Sequence, residues 1–268
     1  MEKLRASSLR KLKRLSGNSQ TSLLSRVREL SKRWLPPPRL TTSQWADEYR
    51  RLSSETSAEP GRWQTSRAPY QREMMDAADD PSVEWVVIMS SAQVGKTEVI
   101  NSIVGKHIHQ DPCPNLVVQP TLEMGQIWSR RFAVMARDTP VLKELISDPK
   151  AKDSGNTLLH KSYPGGSLNV AGSNSPAGLA SRAIRIVGFD ELDRSPPSAG
   201  TEGDPLTLAV KRTTTYPNRK IIVTSTPTIK GLSRIEAAFE ATDQRRYFVP
   251  CPECGVFQPL ECKHVHWP

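Results

Sequence analysis

Residues 83–97 read V-E-W-V-V-I-M-S-S-A-Q-V-G-K-T, and the segment after them is E-V-I-N-S-I-V-G-K-H-I. An apolar run (Val83, Val86, Val87, Ile88, Met89) ends in small residues, and helical periodicity follows Gly95-Lys96-Thr97, so the stretch predicts strand, tight loop, helix. Against the phosphate-loop pattern G-x-x-x-x-G-K-[ST], Gly95, Lys96 and Thr97 fall in register and Ser90 stands at the first glycine. In such a loop (Ser90, Ser91, Ala92, Gln93, Val94, Gly95) backbone N–H groups surround a phosphate, and the helix N-terminus adds partial positive charge. Lys96 then reaches the β- and γ-phosphates, and the Thr97 hydroxyl sits on Mg²⁺. A serine serves at position 90 if its φ stays negative.

The 268 residues suit one large domain or one and a half, with 37% apolar and 24% charged residues. No run of 18 apolar residues occurs, which argues against a membrane span, and the N-terminus lacks an apolar signal core. The net charge of +9 is unevenly spread: residues 1–39 hold eleven Lys/Arg against Glu2 and Glu29, leaving 26 basic and 26 acidic residues in 40–268. The basic character belongs to a tail, and any nucleic-acid contact of the body must come from local patches. Within 1–35 two short amphipathic helices are expected, as an arm for nucleic acid or a partner subunit or as a solvated leader.

From Leu40 onward T-T-S-Q-W-A-D-E-Y predicts a capped helix, and Pro60-Gly61 a turn. Pro69-Tyr70-Gln71 opens the helix before the phosphate-loop strand; Gln71 is either a base-edge partner with Tyr70 as aromatic neighbour, or an ordinary capping residue. Residues 115–119 read as a second buried strand, followed by helix to about Ile146, with Trp128 and Phe132 on its core side and Arg130, Arg131 and Arg137 opposite. Residues 157–171 predict a hairpin turning at Pro164-Gly165-Gly166. The small-residue stretch 172–182 reads as a loop, with Arg182 facing either a phosphate or a surface ion pair.

Residues 183–189 form an apolar strand that delivers Asp190-Glu191 at its C-terminal end. A nucleotide hydrolase needs this pair: the first carboxylate holds Mg²⁺, and the second aligns and deprotonates the attacking water. After a helix at about 205–213, the strand from Lys220 ends in Thr224-Ser225-Thr226-Pro227, hydroxyls placed to sense the γ-phosphate. All candidates lie at C-terminal strand ends, where an open α/β sheet puts its ligand. A last strand leads into Cys251-Pro252-Glu253-Cys254-Gly255, half of a zinc knuckle; Cys262, His264 and His266 are the available further ligands, at non-standard spacing.

Seven ordered motifs resemble the ATPase half of the tailed-phage terminase large subunit, lambda-like GpA type: 58–63 with 68–77, 90–97, 117–121, 173–182, 187–194, 224–228 and 249–255. The resemblance covers about residues 40–268. It implies an α/β fold of the P-loop NTPase (ASCE/RecA-like) kind, with a central, mainly parallel sheet flanked by helices and a basic helical N-terminal extension. The expected domains are the extension (1–39), the ATPase motor (40–248) and the start of a zinc-knuckle or linker segment (249–268) toward a nuclease domain expected to be absent from this chain.

The resemblance further implies an ATP-hydrolysing motor that packages double-stranded viral DNA into a procapsid in the host cytoplasm, with the terminase small subunit, the portal and a homo-oligomeric ring as partners. ATP and Mg²⁺ are its cofactors, with Zn²⁺ a candidate at Cys251 and Cys254. It assigns Tyr70 and Gln71 to adenine, Lys96 and Thr97 to phosphates and Mg²⁺, Asp190 to Mg²⁺, Glu191 to water activation, and Thr224, Ser225 and Thr226 to coupling. The family often carries Arg or Lys inside the phosphate loop, where this chain has Ala92 and Gln93, so Arg182 or a neighbouring subunit becomes the candidate for that charge. The alternatives are a helicase-type translocase, which needs a second motor domain, and a nucleotide-binding adaptor without turnover.

Overall fold

The computed structural model describes residues 39–146, 156–180 and 182–260. The two basic helices expected in 1–35, and Cys262, His264 and His266, lie outside these residues. The described chain from Leu40 onward begins with helix α1 (Thr42–Tyr49), closed by a capping box between Thr41 and Gln44. A two-residue ladder, β1 (Arg51–Leu52) with β2 (Gly61–Arg62), and helix α2 (Gln71–Asp76) lead to strand β3 (Trp85–Met89) and helix α3 (Lys96–Gln110). Strand β4 (Asn115–Gln119), helices α4 (Leu122–Asp138) and α5 (Pro140–Lys143), and the antiparallel hairpin β5 (His160–Tyr163) and β6 (Gly166–Gly172) follow. Then come α6 (Pro176–Ala180), β7 (Ile186–Phe189), α7 (Pro205–Lys211), β8 (Lys220–Ser225) and α8 (Arg234–Glu240).

Six strands form the central sheet in the order β3-β8-β7-β4-β6-β5, parallel throughout except for the β5–β6 edge pair. Alternating side chains go to opposite faces, and both faces are buried. Val117, Ile186 and Ile222 join one core with Trp45, Ile103, Trp128 and Phe132, under α1, α3 and α4. Leu116, Val118, Val187, Phe189, Ile221 and Val223 join the other with Leu179, Leu208 and Ile235, under α6, α7 and α8. The three-layer α/β architecture expected from the sequence is therefore present.

The stretch 172–182 departs from expectation, because its residues 176–180 are helical. Pro176 starts the turn with a φ already suited to it, and Leu179 is buried in the core cluster on that face of the sheet. Tertiary burial outweighs the loop-like composition. The strand before Cys251, β9 (Phe248–Pro250), pairs with β10 (Phe257–Pro259) in a separate hairpin. The C-P-E-C-G turn between them is closed by Cys251 N–H to the Val256 carbonyl at 2.8 Å, with Gly255 at φ 74°.

Candidate active site

The loop between β3 and α3 is pinned at both ends. Ser90 N–H donates to the Ser225 carbonyl at 3.3 Å, continuing the β3–β8 ladder. Ser90 is absent from the described non-glycine residues with positive φ, which are Gln93 (63°), Glu191 (53°) and Gln244 (53°). The loop turns instead at Gln93 and at Gly95, whose φ is 80°. Gly95 is also crowded: a Cβ there would overlap the Gln71 amide. Gln71 Nε2 donates to the Val94 carbonyl at 2.8 Å, and Tyr70 Oη donates to the same oxygen at 3.1 Å. The two residues expected at the base thus also hold the loop.

Lys96, only 6% exposed, opens α3. Its ammonium donates to the Ser91 carbonyl (3.1 Å) and to Thr226 Oγ1 (2.7 Å), and lies 3.7 Å from Glu191 Oε1. Because β8 lies between β3 and β7, the hydroxyls at its end fall between the lysine and the acidic pair. Thr224 Oγ1 donates to Asp190 Oδ1 at 2.6 Å, whereas Ser225, on the opposite face, accepts Asp193 N–H at 3.1 Å.

Asp190 is buried at the end of β7, its own N–H bonded to the Val118 carbonyl. Its Oδ2 accepts from Thr97 Oγ1 at 2.9 Å and from Gln119 Nε2 at 3.1 Å. Donors from three elements thus fix its rotamer. Glu191 adopts the left-handed conformation (φ 53°, ψ 55°), which costs a non-glycine residue about 1–3 kcal/mol and is maintained only by its surroundings. The surroundings are the burial of Leu192 and the anchoring of Asp193. The conformation turns the Glu191 carboxylate toward Lys96. Its Oε1 is the oxygen beside the ammonium group, while its Oε2 is buried without a hydrogen-bond partner and faces the Arg194 guanidinium.

Thr97 and Asp190 together suit a hydrated divalent cation: the hydroxyl keeps its hydrogen on the carboxylate while its lone pairs stay available, an all-oxygen set of the kind Mg²⁺ takes. Around that point stand the Lys96 ammonium and the Glu191 carboxylate.

Three residues outside the sequence-level expectation belong to this cluster. Gln119 orients Asp190; Arg194 Nε lies 3.7 Å from Glu191 Oε2; and Asp193 accepts from Thr228 N–H, Thr228 Oγ1 and Ile235 N–H, tying the loop after β8 to the acidic turn. Their signal lay in the motifs V-V-Q-P-T and D-E-L-D-R, where only the first two acidic residues received roles.

Arg182 does not join the cluster. Its guanidinium donates to Asn169 Oδ1 at 2.6 Å and contacts His160. Asn169 pairs with Leu116, three residues before the end of β4, so this level of the sheet lies roughly 10 Å below the acidic residues. Cys251 and Cys254 are also remote in the chain from the site. Backbone N–H groups of Cys254 and Glu253 lower the Cys251 thiol pKa, but among the described residues no group of three His, Cys, Asp or Glu side chains could hold a metal, and zinc gains no support. Arg131 and Arg137 form ion pairs with Glu98 and with Glu55 and Asp138.

A sequence model of the family described as phage terminase large subunit gpA, ATPase domain, matches residues 57–268. The chain is 32% identical over 249 residues to the terminase large subunit of Enterobacteria phage P21, covering 92% of this chain and 37% of the relative. It is 29% identical over 252 residues to the terminase large subunit of Escherichia phage lambda, covering 91% and 39%. Among solved structures, the large terminase of bacteriophage HK97 superimposes with a TM-score of 0.54 at 14% identity, over 69% of this chain and 37% of that one, a likeness of fold. The chain thus spans under two-fifths of the length of these curated relatives.

Proposed function

We propose, from the premise that this chain belongs to the phage terminase large subunit gpA ATPase-domain family, that it is the Mg²⁺-dependent ATP-hydrolysing motor of a terminase that drives double-stranded viral DNA into a procapsid. The observation that carries the reading is the convergence of Lys96, Thr97, Asp190 and Glu191, from two distant stretches of chain, on one point at the C-terminal edge of the sheet.

In this reading the loop 90–95 and Lys96 bind the phosphates, Thr97 and Asp190 hold Mg²⁺, and Tyr70 and Gln71 take the adenine. Mg²⁺ supplies charge neutralisation across the phosphates. Glu191 takes the proton of the attacking water in general-base fashion, its Oε2 being hydrogen-bonded to no other group of the chain. Thr224 and Thr226 report the state of the site: a change in what Lys96 faces acts on Thr226 through their hydrogen bond. Thr226 continues into the loop that Asp193 holds at Thr228 and Ile235, which gives a bonded route from phosphate to α8. Since Arg182 is held elsewhere, a neighbouring copy in a homo-oligomeric ring is the source of any further stabilising charge. The terminase small subunit, the portal and the host cytoplasm follow from the family role. None of the described helices is long and apolar enough to cross a membrane.

Steady-state hydrolysis tests the proposal. Lys96→Ala and Glu191→Gln abolish turnover, and Glu191→Gln still binds ATP. Full turnover in Glu191→Gln refutes the assignment, and no turnover in the parent chain, even in its assembled ring, favours a nucleotide-binding adaptor. The purified 268-residue chain is not expected to nick DNA with Mg²⁺ or Mn²⁺.

A further inference from the structure

Past α8 the chain turns back over the phosphate-loop region. The reversal begins at Gln244, held in the left-handed region (φ 53°) by its N–H on Thr242 Oγ1 and its amide on the Glu240 carbonyl. Arg245 Nη1 then donates to Glu73 Oε1 at 2.7 Å, on α2. Tyr247 sets its ring against Tyr70, with centroids 6.1 Å apart and planes at 72°. Tyr247 is about half exposed and Tyr70 is half-buried, so each keeps aromatic surface open to a ligand.

Next to Tyr70 in sequence is an unsatisfied acceptor. Gln71 is 4% exposed, its Nε2 is engaged with the Val94 carbonyl, and its Oε1 has no hydrogen-bond partner. An unpaired buried amide oxygen is costly, and a donor supplied by a ligand would remove that cost. Adenine offers such a donor in its exocyclic amino group; guanine presents a carbonyl oxygen at the same ring position and would oppose acceptor to acceptor.

We propose that Tyr247, in edge contact with Tyr70, adds a second aromatic surface to the nucleotide base site, where the Gln71 Oε1 acceptor favours adenine. The inference rests on the phosphate-loop reading above. It makes the segment joining α8 to the β9–β10 hairpin part of the nucleotide site, so that base binding orders the exit toward whatever follows that hairpin.

The experiment is calorimetric titration of the full chain with Mg²⁺-ATP, Mg²⁺-GTP and Mg²⁺-tripolyphosphate, which has no base. Stacking on an aromatic side chain is substantial, so Tyr247→Ala is expected to weaken ATP binding about tenfold. The same variant should leave tripolyphosphate binding unchanged, which also shows that it is folded. Tyr247→Phe keeps ATP affinity. ATP binding unchanged in Tyr247→Ala, or ATP and tripolyphosphate weakened in parallel, overturns the proposal, as does GTP binding as tight as ATP in the parent chain. Lys96→Ala separates the two layers: it should lose both ligands, and if it retains tripolyphosphate the phosphate-loop reading itself fails.

Discussion

Thr97 Oγ1 donates to Asp190 Oδ2 at 2.9 Å across 93 residues of chain, which joins the first turn of the phosphate-loop helix to the end of the strand two places away in the sheet. The hydroxyl is a donor to the carboxylate and, in the proposed reading, a ligand for Mg²⁺. Thr97→Val removes both functions while conserving shape, and Thr97→Ser keeps both. The Mg²⁺ concentration for half-maximal hydrolysis is expected to rise at least tenfold in the valine variant and to stay near the parent value in the serine variant, as measured by steady-state assays at fixed ATP.

Gln119 touches Asp190 from the neighbouring strand without reaching toward the phosphate loop. If Asp190 holds Mg²⁺ as proposed, such an outer partner of its carboxylate is worth about 10–100-fold in metal affinity. Gln119→Leu should therefore shift the Mg²⁺ activation curve to higher concentration by about that factor, with little change in the rate at saturating Mg²⁺. An unshifted curve would mean that Asp190 is held sufficiently by Thr97 and Thr224 alone.

Arg50 is 1% exposed and joins α1 to the start of α3: it pairs with Glu98, donates to the Glu98 carbonyl and Ser102 Oγ, and lies 4.2 Å over the Trp63 ring. Burial lowers the pKa of its guanidinium against the pull of Glu98. For Glu98 burial acts upward, but Arg50, Asn101 and Arg131 outweigh it and hold the carboxyl below its usual range. Breaking a buried pair from one side leaves the other charge stranded, so Arg50→Met should cost about 3 kcal/mol in urea denaturation, moderated by the partial exposure of Glu98. The double variant Arg50→Met, Glu98→Gln should recover part of that loss.

His107 is buried in α3 with Nδ1 bonded to the Ile103 carbonyl, and burial pushes its pKa down to about 4. Between that value and the ordinary 6.5 the unfolded chain binds a proton that the folded chain does not. Its contribution is therefore full above pH 6.5 and is lost as pH falls toward 4, by about 3 kcal/mol in total. Chemical denaturation at pH 7 and pH 4.5 should show this slope in the parent chain and a shallower one in His107→Gln.

The sequence by itself determined most of the strands and helices of the core. The apolar runs within 115–119 and 220–225, the helical period after Lys96, and the turn at Pro164-Gly165 are local patterns with local causes, and each strand end carried its polar residues with it. Tertiary structure decided which ends meet. Local periodicity does not encode strand order, so the interposition of β8 between β3 and β7, which puts Thr224 on Asp190 and Thr226 on Lys96, is a product of non-local packing. The same packing made a helix of Pro176–Ala180, kept Arg182 beside Asn169, brought Gln119 to Asp190 and set Tyr247 against Tyr70, contacts their own neighbours in sequence do not announce. A side chain's chemistry is written at its position, but its partner is set by the burial of two faces of one sheet.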